Sequence, residues 1–132
     1  AYPGIHMARI LIVDDSPSQL MSIRRIVEKL GHDALTAEDG AAGVEAAKRE
    51  LPDLILMDVV MPNLNGFQAT RSISREATTK HIPVILVTTK DQDTDRVWGM
   101  RQGAKAYITK PFSESELADV INQYIATGPS AA

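Results

Sequence analysis

The chain has 132 residues, of which 44% are hydrophobic and 23% are charged, and its formal net charge is −3 at pH 7. This length and composition suit one globular domain with its own core, and the charge offers no basic footprint for nucleic acid. No apolar run approaches the roughly 20 residues that span a bilayer, and the absence of cysteine excludes disulfides and fits a cytoplasmic protein.

Composition also suggests where the domain begins and ends. Residues 1–6 precede Met7 and are expected to be a cloning remnant that takes no part in the fold. Residues 7–126 hold all the periodic segments and are expected to form the domain. Residues 127–132 are small or polar and are expected to form a flexible tail.

The first two segments of the domain each join a strand to a helix. The apolar run 9–13 predicts a buried strand. Ser16 then predicts the start of a helix, and Gln19 three residues later would complete a capping box. A weaker strand over 33–37 is expected near a sheet edge, and an alanine-rich helix is predicted over 40–50.

The third and fourth segments contain the most apolar strands. These strands are predicted over 53–57 and 83–87, and the helices that follow them over 66–76 and 91–102. Trp98 lies in the last of these helices and is expected to pack into the core, because single large apolar side chains are usually structural.

The fifth segment pairs a short strand over 105–108 with an amphipathic helix over 114–125. Five such units with buried strands predict a single-domain, doubly wound α/β sandwich, in which helices cover both faces of a parallel sheet. Gly99, inside the fourth helix, costs about 1 kcal/mol relative to alanine, and the sequence gives no reason for it.

Polar residues recur where the predicted strands end, which is where sites form in open α/β sheets. They are Asp14, Asp15, Asp58, Thr88 and Lys110. If the first and third strands are neighbours, the three carboxylates converge, and each like-charge pair at about 4 Å costs on the order of 4 kcal/mol. A hard cation such as Mg²⁺ would relieve the repulsion, and a carboxylate can also accept a phosphoryl group.

This arrangement resembles the receiver domain of two-component response regulators, and the resemblance covers residues 7–126. The residues that carry it are Asp14, Asp15, Asp58, Met61, Pro62, Gly66, Thr88, Lys110 and Pro111. It implies a CheY-like, flavodoxin-like fold with a five-stranded parallel sheet of order 2-1-3-4-5. Within that family, residues 66–71, 87–92 and 98–104 are similar to stand-alone regulators of type IV pilus twitching motility, of the PilH type.

The resemblance implies a role for each residue at the phosphorylation site. Asp58 would be the phosphoacceptor. Asp15, Asp58 and the backbone carbonyl of Val60 would hold Mg²⁺, and Asp14 would act through a bound water. Lys110 would pair with the phosphate.

Other roles implied by the resemblance concern switching and its rate. Thr88 would be the hydroxyl that follows the phosphate inward, and Tyr107 the aromatic switch residue. Val60 and Lys90 would tune the lifetime of the aspartyl-phosphate. The Lys110–Pro111 peptide bond would be cis.

The implied function is a signalling switch, not an enzyme, with activity limited to its own phosphorylation and dephosphorylation. A histidine kinase would be the phosphodonor, and a downstream protein would bind the face formed by the fourth helix, fifth strand and fifth helix. Neither nucleic acid nor membrane insertion is expected, and the protein is expected to be a monomer or weak dimer.

Three alternatives stay open. The chain could be the receiver fragment of a larger regulator with an output domain. It could be a flavodoxin-like FMN-binding protein, although Asp14 and Asp15 would repel the flavin phosphate. It could also be a phosphohydrolase with an aspartate nucleophile, although Val60 stands where such an enzyme needs a second aspartate.

Overall fold

A computed structural model describes residues 7–126, so the expected remnant and the expected tail lie outside the described residues. Strands and helices alternate along the chain. The ten elements are β1 (Arg9–Val13), α1 (Pro17–Lys29), β2 (Asp33–Ala37), α2 (Gly40–Glu50), β3 (Leu54–Met57), α3 (Gly66–Arg75), β4 (Val84–Thr88), α4 (Asp93–Arg101), β5 (Ala106–Thr109) and α5 (Glu114–Ala126).

The strands form one sheet in the order β2-β1-β3-β4-β5, and every neighbouring pair is parallel. The predicted fold class and strand order are therefore confirmed. The winding direction reverses between β1 and β3, whose last residues, Val13 and Met57, are partners in the register. At the other side, Thr88 of β4 pairs with Thr109 of β5. The residues that follow these pairs are thus brought to one edge of the sheet.

Successive side chains of the buried strands point to opposite faces of the sheet, so the core has two layers. In β3, Leu54 and Leu56 face the layer that contains α1 and α5, whereas Ile55 and Met57 face the layer that contains α2 and α3. Helices therefore cover both faces of the sheet, as expected for a parallel sheet buried on both sides. Among the described residues, no helix is both long enough and apolar enough to cross a membrane.

The structure corrects one prediction about α4 and explains one puzzle. Trp98 is 48% exposed and does not lie in the core, so that prediction was wrong. The buried residue of α4 is Gly99. It packs so closely on β4 that a Cβ there would lie 2.6 Å from Cδ1 of Leu86. The glycine allows α4 to pack closely on β4. This packing explains why a glycine stands here despite its unfavourable helix propensity.

The start of α1 also differs from the prediction. The Ser16 hydroxyl accepts a hydrogen bond from the backbone N–H of Gln19, as expected for an N-cap. However, the backbone N–H of Ser16 donates to the carboxylate of Asp14 at 2.9 Å instead of to the Gln19 side chain. The helix start is therefore tied to the acidic residue that precedes it.

Candidate functional site

Three carboxylates meet at the carboxyl edge of the sheet, where the winding direction reverses. Asp14 and Asp15 follow β1, and Asp58 follows the adjacent β3. One carboxylate oxygen from each of the three lies within 4.8 Å of the others. Asp14 is 1% exposed and Asp58 9% exposed, whereas Asp15 is open to solvent. The convergence expected from the sequence is thus present in the structure.

Backbone contacts hold Asp58 in place. Its N–H donates to the carbonyl of Val13 at 2.9 Å, and its carboxylate accepts a hydrogen bond from the N–H of Val59 at 2.8 Å. Helix α3 begins directly behind it, because Gly66 has no side chain to collide with the Asp58 carbonyl. The N–H of Gly66 donates to the Val59 carbonyl at 2.9 Å. Backbone hydrogen bonds and the start of α3 thus set the position of the Asp58 carboxylate.

Lys110 provides the counter-charge. Its Nζ lies 2.8 Å from Oδ2 of Asp14 and 3.9 Å from Oδ2 of Asp58. The backbone N–H of Lys110 donates to the carbonyl of Thr88 at 2.8 Å, and the Lys110–Pro111 peptide bond is cis. The ammonium thus lies beside both buried carboxylates and forms its shorter ion pair with Asp14.

The electrostatics leave Asp58 incompletely compensated. Burial raises the pKa of the Asp58 carboxyl above its ordinary value, and the charge of Asp14 acts in the same direction. Lys110, the Val59 N–H and the Thr88 hydroxyl oppose this but do not reverse it. Because the raised pKa disfavours the carboxylate, these contacts do not fully offset the burial of Asp58.

Oxygen ligands and unbalanced negative charge are what a hard divalent cation requires. Asp14, Asp15 and Asp58 supply such ligands within a space that one ion could share. The donor set therefore fits Mg²⁺.

Thr88 and Tyr107 are linked through a single residue of the loop after β4. The hydroxyl of Thr88, which is fully buried, accepts a hydrogen bond from the N–H of Lys90 at 3.3 Å. The carbonyl of Lys90 accepts a hydrogen bond from the hydroxyl of Tyr107 at 2.7 Å. The two residues expected to act as switches are thus connected through the backbone of one residue, Lys90.

The remaining predicted residues lie around the site. Val60 is 56% exposed at its rim, and Nζ of Lys90 lies 3.7 Å from a carboxylate oxygen of Asp95. An open cleft of about 590 Å³ runs from the acids along α1. It is lined by Asp14, Asp15, Ser16, Gln19, Ser22, Ile26, Asp58, Val60, Thr89, Lys110, Pro111 and Phe112.

Residues 10–122 match the response regulator receiver domain family. The chain belongs to this family. It is similar to the protein PilH of Pseudomonas aeruginosa, with 58% identity over 91% of this chain and 99% of PilH. Other curated relatives include longer regulators, of which the chain spans less than half.

Solved receiver structures agree with the fold. The chemotaxis protein CheY4 of Vibrio cholerae is 28% identical, with a TM-score of 0.84 over 90% of this chain and 99% of CheY4. The receiver domain of the sensor histidine kinase PA1611 from Pseudomonas aeruginosa is 31% identical, with a TM-score of 0.85 over 92% of this chain and 100% of that domain. That structure has a magnesium ion coordinated in its active-site cleft. The predicted family and CheY-like fold are therefore confirmed.

Arg96 and Thr109 lie near Tyr107 and were not singled out by the sequence. Arg96 places its guanidinium carbon 5.1 Å from the centroid of the Tyr107 ring and donates a hydrogen bond to Thr109 at 2.6 Å. The signal was the three-residue spacing of Arg96 and Gly99, which places both on one helix face. It could be interpreted only once β5 was known to lie beside that face.

Proposed function

We propose that this receiver is a phosphorylation-controlled switch, that Asp58 accepts a phosphoryl group from a histidine kinase, and that the output controls type IV pilus twitching motility. The observation that carries the proposal is the buried carboxylate of Asp58, held beside Asp14, Asp15 and Lys110 at the sheet's carboxyl edge. The 58% identity to PilH supports the pilus pathway.

The proposed reaction is a transfer between two nucleophiles. A carboxylate oxygen of Asp58 attacks the phosphorus of a phosphohistidine, and a new P–O bond forms as the P–N bond breaks. The electron pair of the broken bond stays on the imidazole nitrogen of the kinase. Hydrolysis later restores the carboxylate and releases inorganic phosphate. Such transfers depend mainly on positioning and charge neutralisation.

The residues around Asp58 supply both requirements. The Val59 N–H fixes one carboxylate oxygen, and the Lys110 ammonium lies where added negative charge would be stabilised. Asp15, Asp58 and the Val60 carbonyl would hold Mg²⁺, with Asp14 acting through water. The ion would neutralise the phosphoryl oxygens and the acids together. Val60 and Lys90 border the site and would tune the lifetime of the phosphate.

Phosphorylation would alter the link between Thr88 and Tyr107. Phosphate adds about −1.5 to −2 charges and several acceptor oxygens, which would draw the Thr88 hydroxyl inward. Its bond with the Lys90 N–H would then be lost, and the Lys90 carbonyl that holds Tyr107 would be free to move. The α4-β5-α5 face would change, and a downstream protein would bind to it.

The alternatives lose support at the site. An FMN phosphate would meet three acids, and the residue two positions after Asp58 is Val60, not the second acid of a phosphohydrolase. A receiver within a larger regulator would use the same site, and only its output would differ. The assignment of Asp58 as phosphoacceptor therefore does not depend on the pilus pathway.

The decisive test uses beryllofluoride, which mimics an aspartyl-phosphate. We expect Trp98 fluorescence to respond to beryllofluoride only when Mg²⁺ is present, because the cation is needed to offset the negative charges of beryllofluoride and the three carboxylates. Asp58→Asn should fold and give no response, and Asp15→Asn should weaken Mg²⁺ binding. Asp33→Asn, on the exposed start of β2, is the matched control and should behave as the unmodified chain. An unchanged response in Asp58→Asn would falsify the assignment.

The pathway is tested separately by phosphotransfer and binding. Purified histidine kinases of pilus and chemotaxis systems would be incubated with the receiver, and transfer to Asp58 would be measured over time. Preferential transfer from a pilus-system kinase, and partner capture that depends on beryllofluoride, are the expected results. Preferential transfer from an unrelated kinase would contradict the pilus assignment and leave the switch intact.

A further inference from the structure

Helix α4 turns its apolar side chains away from the core. Gly99 is its buried residue, whereas Val97, Trp98 and Met100 are 53%, 48% and 46% exposed. At about 3.6 residues per turn, Val97 lies nearly opposite Gly99, and Trp98 and Met100 lie on either side of it. Single exposed apolar residues are ordinary, but a contiguous group of them marks an interaction surface. We call Val97, Trp98 and Met100 the α4 patch.

The two ends of this outer side carry opposite charges. Asp93 and Arg101 are each four residues from Val97, so the three side chains lie along one side of the helix. Asp91 adds a second exposed acid before the helix, and Lys105 adds a second exposed base after it. None of these four charged side chains forms an ion pair within the described residues. The surface is therefore acidic at one end, basic at the other and apolar between them.

Such a surface is complementary to itself. When two copies of a chain meet across a two-fold axis, residue i of one copy contacts residue j of the other, and j contacts i. With the axis beside Val97, two antiparallel α4 helices bring Asp93 of each copy to Arg101 of the other. The two valines then meet at the axis, flanked by Trp98 and Met100. A different protein would have to supply the same order of charges in reverse, whereas a second copy already carries it.

We propose that α4 is a self-association surface, through which two copies of this chain form an antiparallel, two-fold symmetric dimer centred on Val97. The proposal does not depend on the function proposed for Asp58. A helix of 9 residues offers a small contact area, and contacts below about 1,200 Å² belong to weak complexes. The dimer is therefore weak and forms at high protein concentration. Because it covers α4, it competes with any other protein that binds there.

The first measurement follows the unmodified chain without Mg²⁺ or beryllofluoride. In sedimentation equilibrium from about 10 μM to 1 mM, the range of a weak contact, the average mass should rise from one chain toward two. Trp98 is the only tryptophan, so its emission should shift to shorter wavelength over the same range as water leaves the indole ring. A mass of one chain at every concentration would overturn the proposal and leave the α4 patch to a different protein.

The second measurement locates the contact on α4. Val97→Glu places two like charges beside the two-fold axis and should abolish association at the highest concentration. Met21→Glu introduces the same charge on α1, at a position that is 54% exposed where Val97 is 53% exposed, and is the matched control. It should associate like the unmodified chain, and both variants should fold because both positions are on the surface. Association that survives Val97→Glu, or that Met21→Glu abolishes as well, would overturn the assignment to α4.

The third measurement tests the antiparallel orientation. Asp93→Arg and Arg101→Asp each turn two attractive pairs of the dimer into two repulsive pairs, so each should weaken association by about tenfold. The double variant Asp93→Arg/Arg101→Asp restores both pairs with reversed polarity and should recover the affinity of the unmodified chain. Glu45→Arg, at an exposed position of α2, makes the same change of charge elsewhere and should leave association unchanged.

Thermal unfolding of dilute protein separates this contact from an effect on the helix itself. An acid in the first turn and a base in the last turn also stabilise α4 through its dipole. The double variant should therefore have the lowest Tm of the three variants and yet associate like the unmodified chain. A double variant that associates no better than Asp93→Arg or Arg101→Asp would overturn the antiparallel dimer.

Discussion

At the scale of single residues, the buried polar groups of this receiver differ in whether they have hydrogen-bond partners. Asp58 and Thr88 are buried beside partners that act on their charge or hydroxyl group. Thr70, on α3, is also fully buried, but its hydroxyl has no hydrogen-bond partner. An unsatisfied buried hydroxyl lowers stability, because the group loses water and gains nothing in return. Asp58 and Thr88 lie at the site, whereas Thr70 marks a place where the stability of the fold can be raised.

We expect Thr70→Val to raise the free energy of unfolding by about 1 kcal/mol, because valine fills a similar space without an unpaired hydroxyl. The matched control is Thr79→Val. The Thr79 hydroxyl is equally buried but donates to the carbonyl of Ile73 at 2.7 Å. That change should lower stability by about 1 kcal/mol or more, since it leaves the carbonyl unpaired. Urea unfolding measures both, and equal effects at the two positions would contradict this account.

At the scale of elements, the sequence predicted most of the architecture and the order of the site residues. Apolar runs such as 83–87 and the acids after them follow from periodicity and from the geometry of parallel sheets. Contacts between elements distant in sequence could not be predicted in the same way. Trp98 was expected in the core because single large apolar side chains are usually structural. The helix instead buries Gly99, and this depends on the position of Leu86.

Gly99 therefore provides a prediction about how α4 packs on the sheet. Alanine improves helix propensity by about 1 kcal/mol, yet its Cβ would lie 2.6 Å from Cδ1 of Leu86, in a fully packed core. Overpacking of this kind costs about 1–3 kcal/mol, so we expect Gly99→Ala to lower the free energy of unfolding by about 1 kcal/mol on balance.

Thr94→Ala, at an exposed position of the same helix, is the control for propensity alone. Denaturant unfolding should show it within about 0.5 kcal/mol of the unmodified chain. A Gly99→Ala variant that is more stable than the unmodified chain would show that α4 can move off the sheet without penalty, contrary to the packing described above.

At the scale of the whole molecule, the two ends of the sheet respond to pH in opposite ways. At the carboxyl end, burial and Asp14 raise the pKa of Asp58. The contribution of Asp58 to stability therefore falls as the pH rises above the ordinary pKa of an aspartate. At the amino end, burial lowers the pKa of His32, and Asp53 only partly offsets this. Stability there falls as the pH decreases below the ordinary histidine value of 6.5.

The amino end gives a prediction that is independent of phosphorylation. Nδ1 of His32 accepts a hydrogen bond from the backbone N–H of Ala8 at 3.0 Å, which requires an unprotonated nitrogen. Because the folded state disfavours the imidazolium, Tm should fall by a few degrees as the pH is lowered from 7.5 to 5.5. His32→Asn can keep an acceptor for Ala8 and cannot titrate in this range, so its Tm should fall less.

The exposed residue His81 is the matched control, and His81→Asn should follow the unmodified chain across the same pH range. Thermal unfolding measured without Mg²⁺ and again with it distinguishes the contributions that the two ends of the sheet make to stability. Mg²⁺ bound at Asp15 and Asp58 should raise Tm by mass action and leave the difference between His32→Asn and the unmodified chain unchanged. If Mg²⁺ abolished that difference, the two ends of the sheet would be energetically coupled, contrary to this prediction.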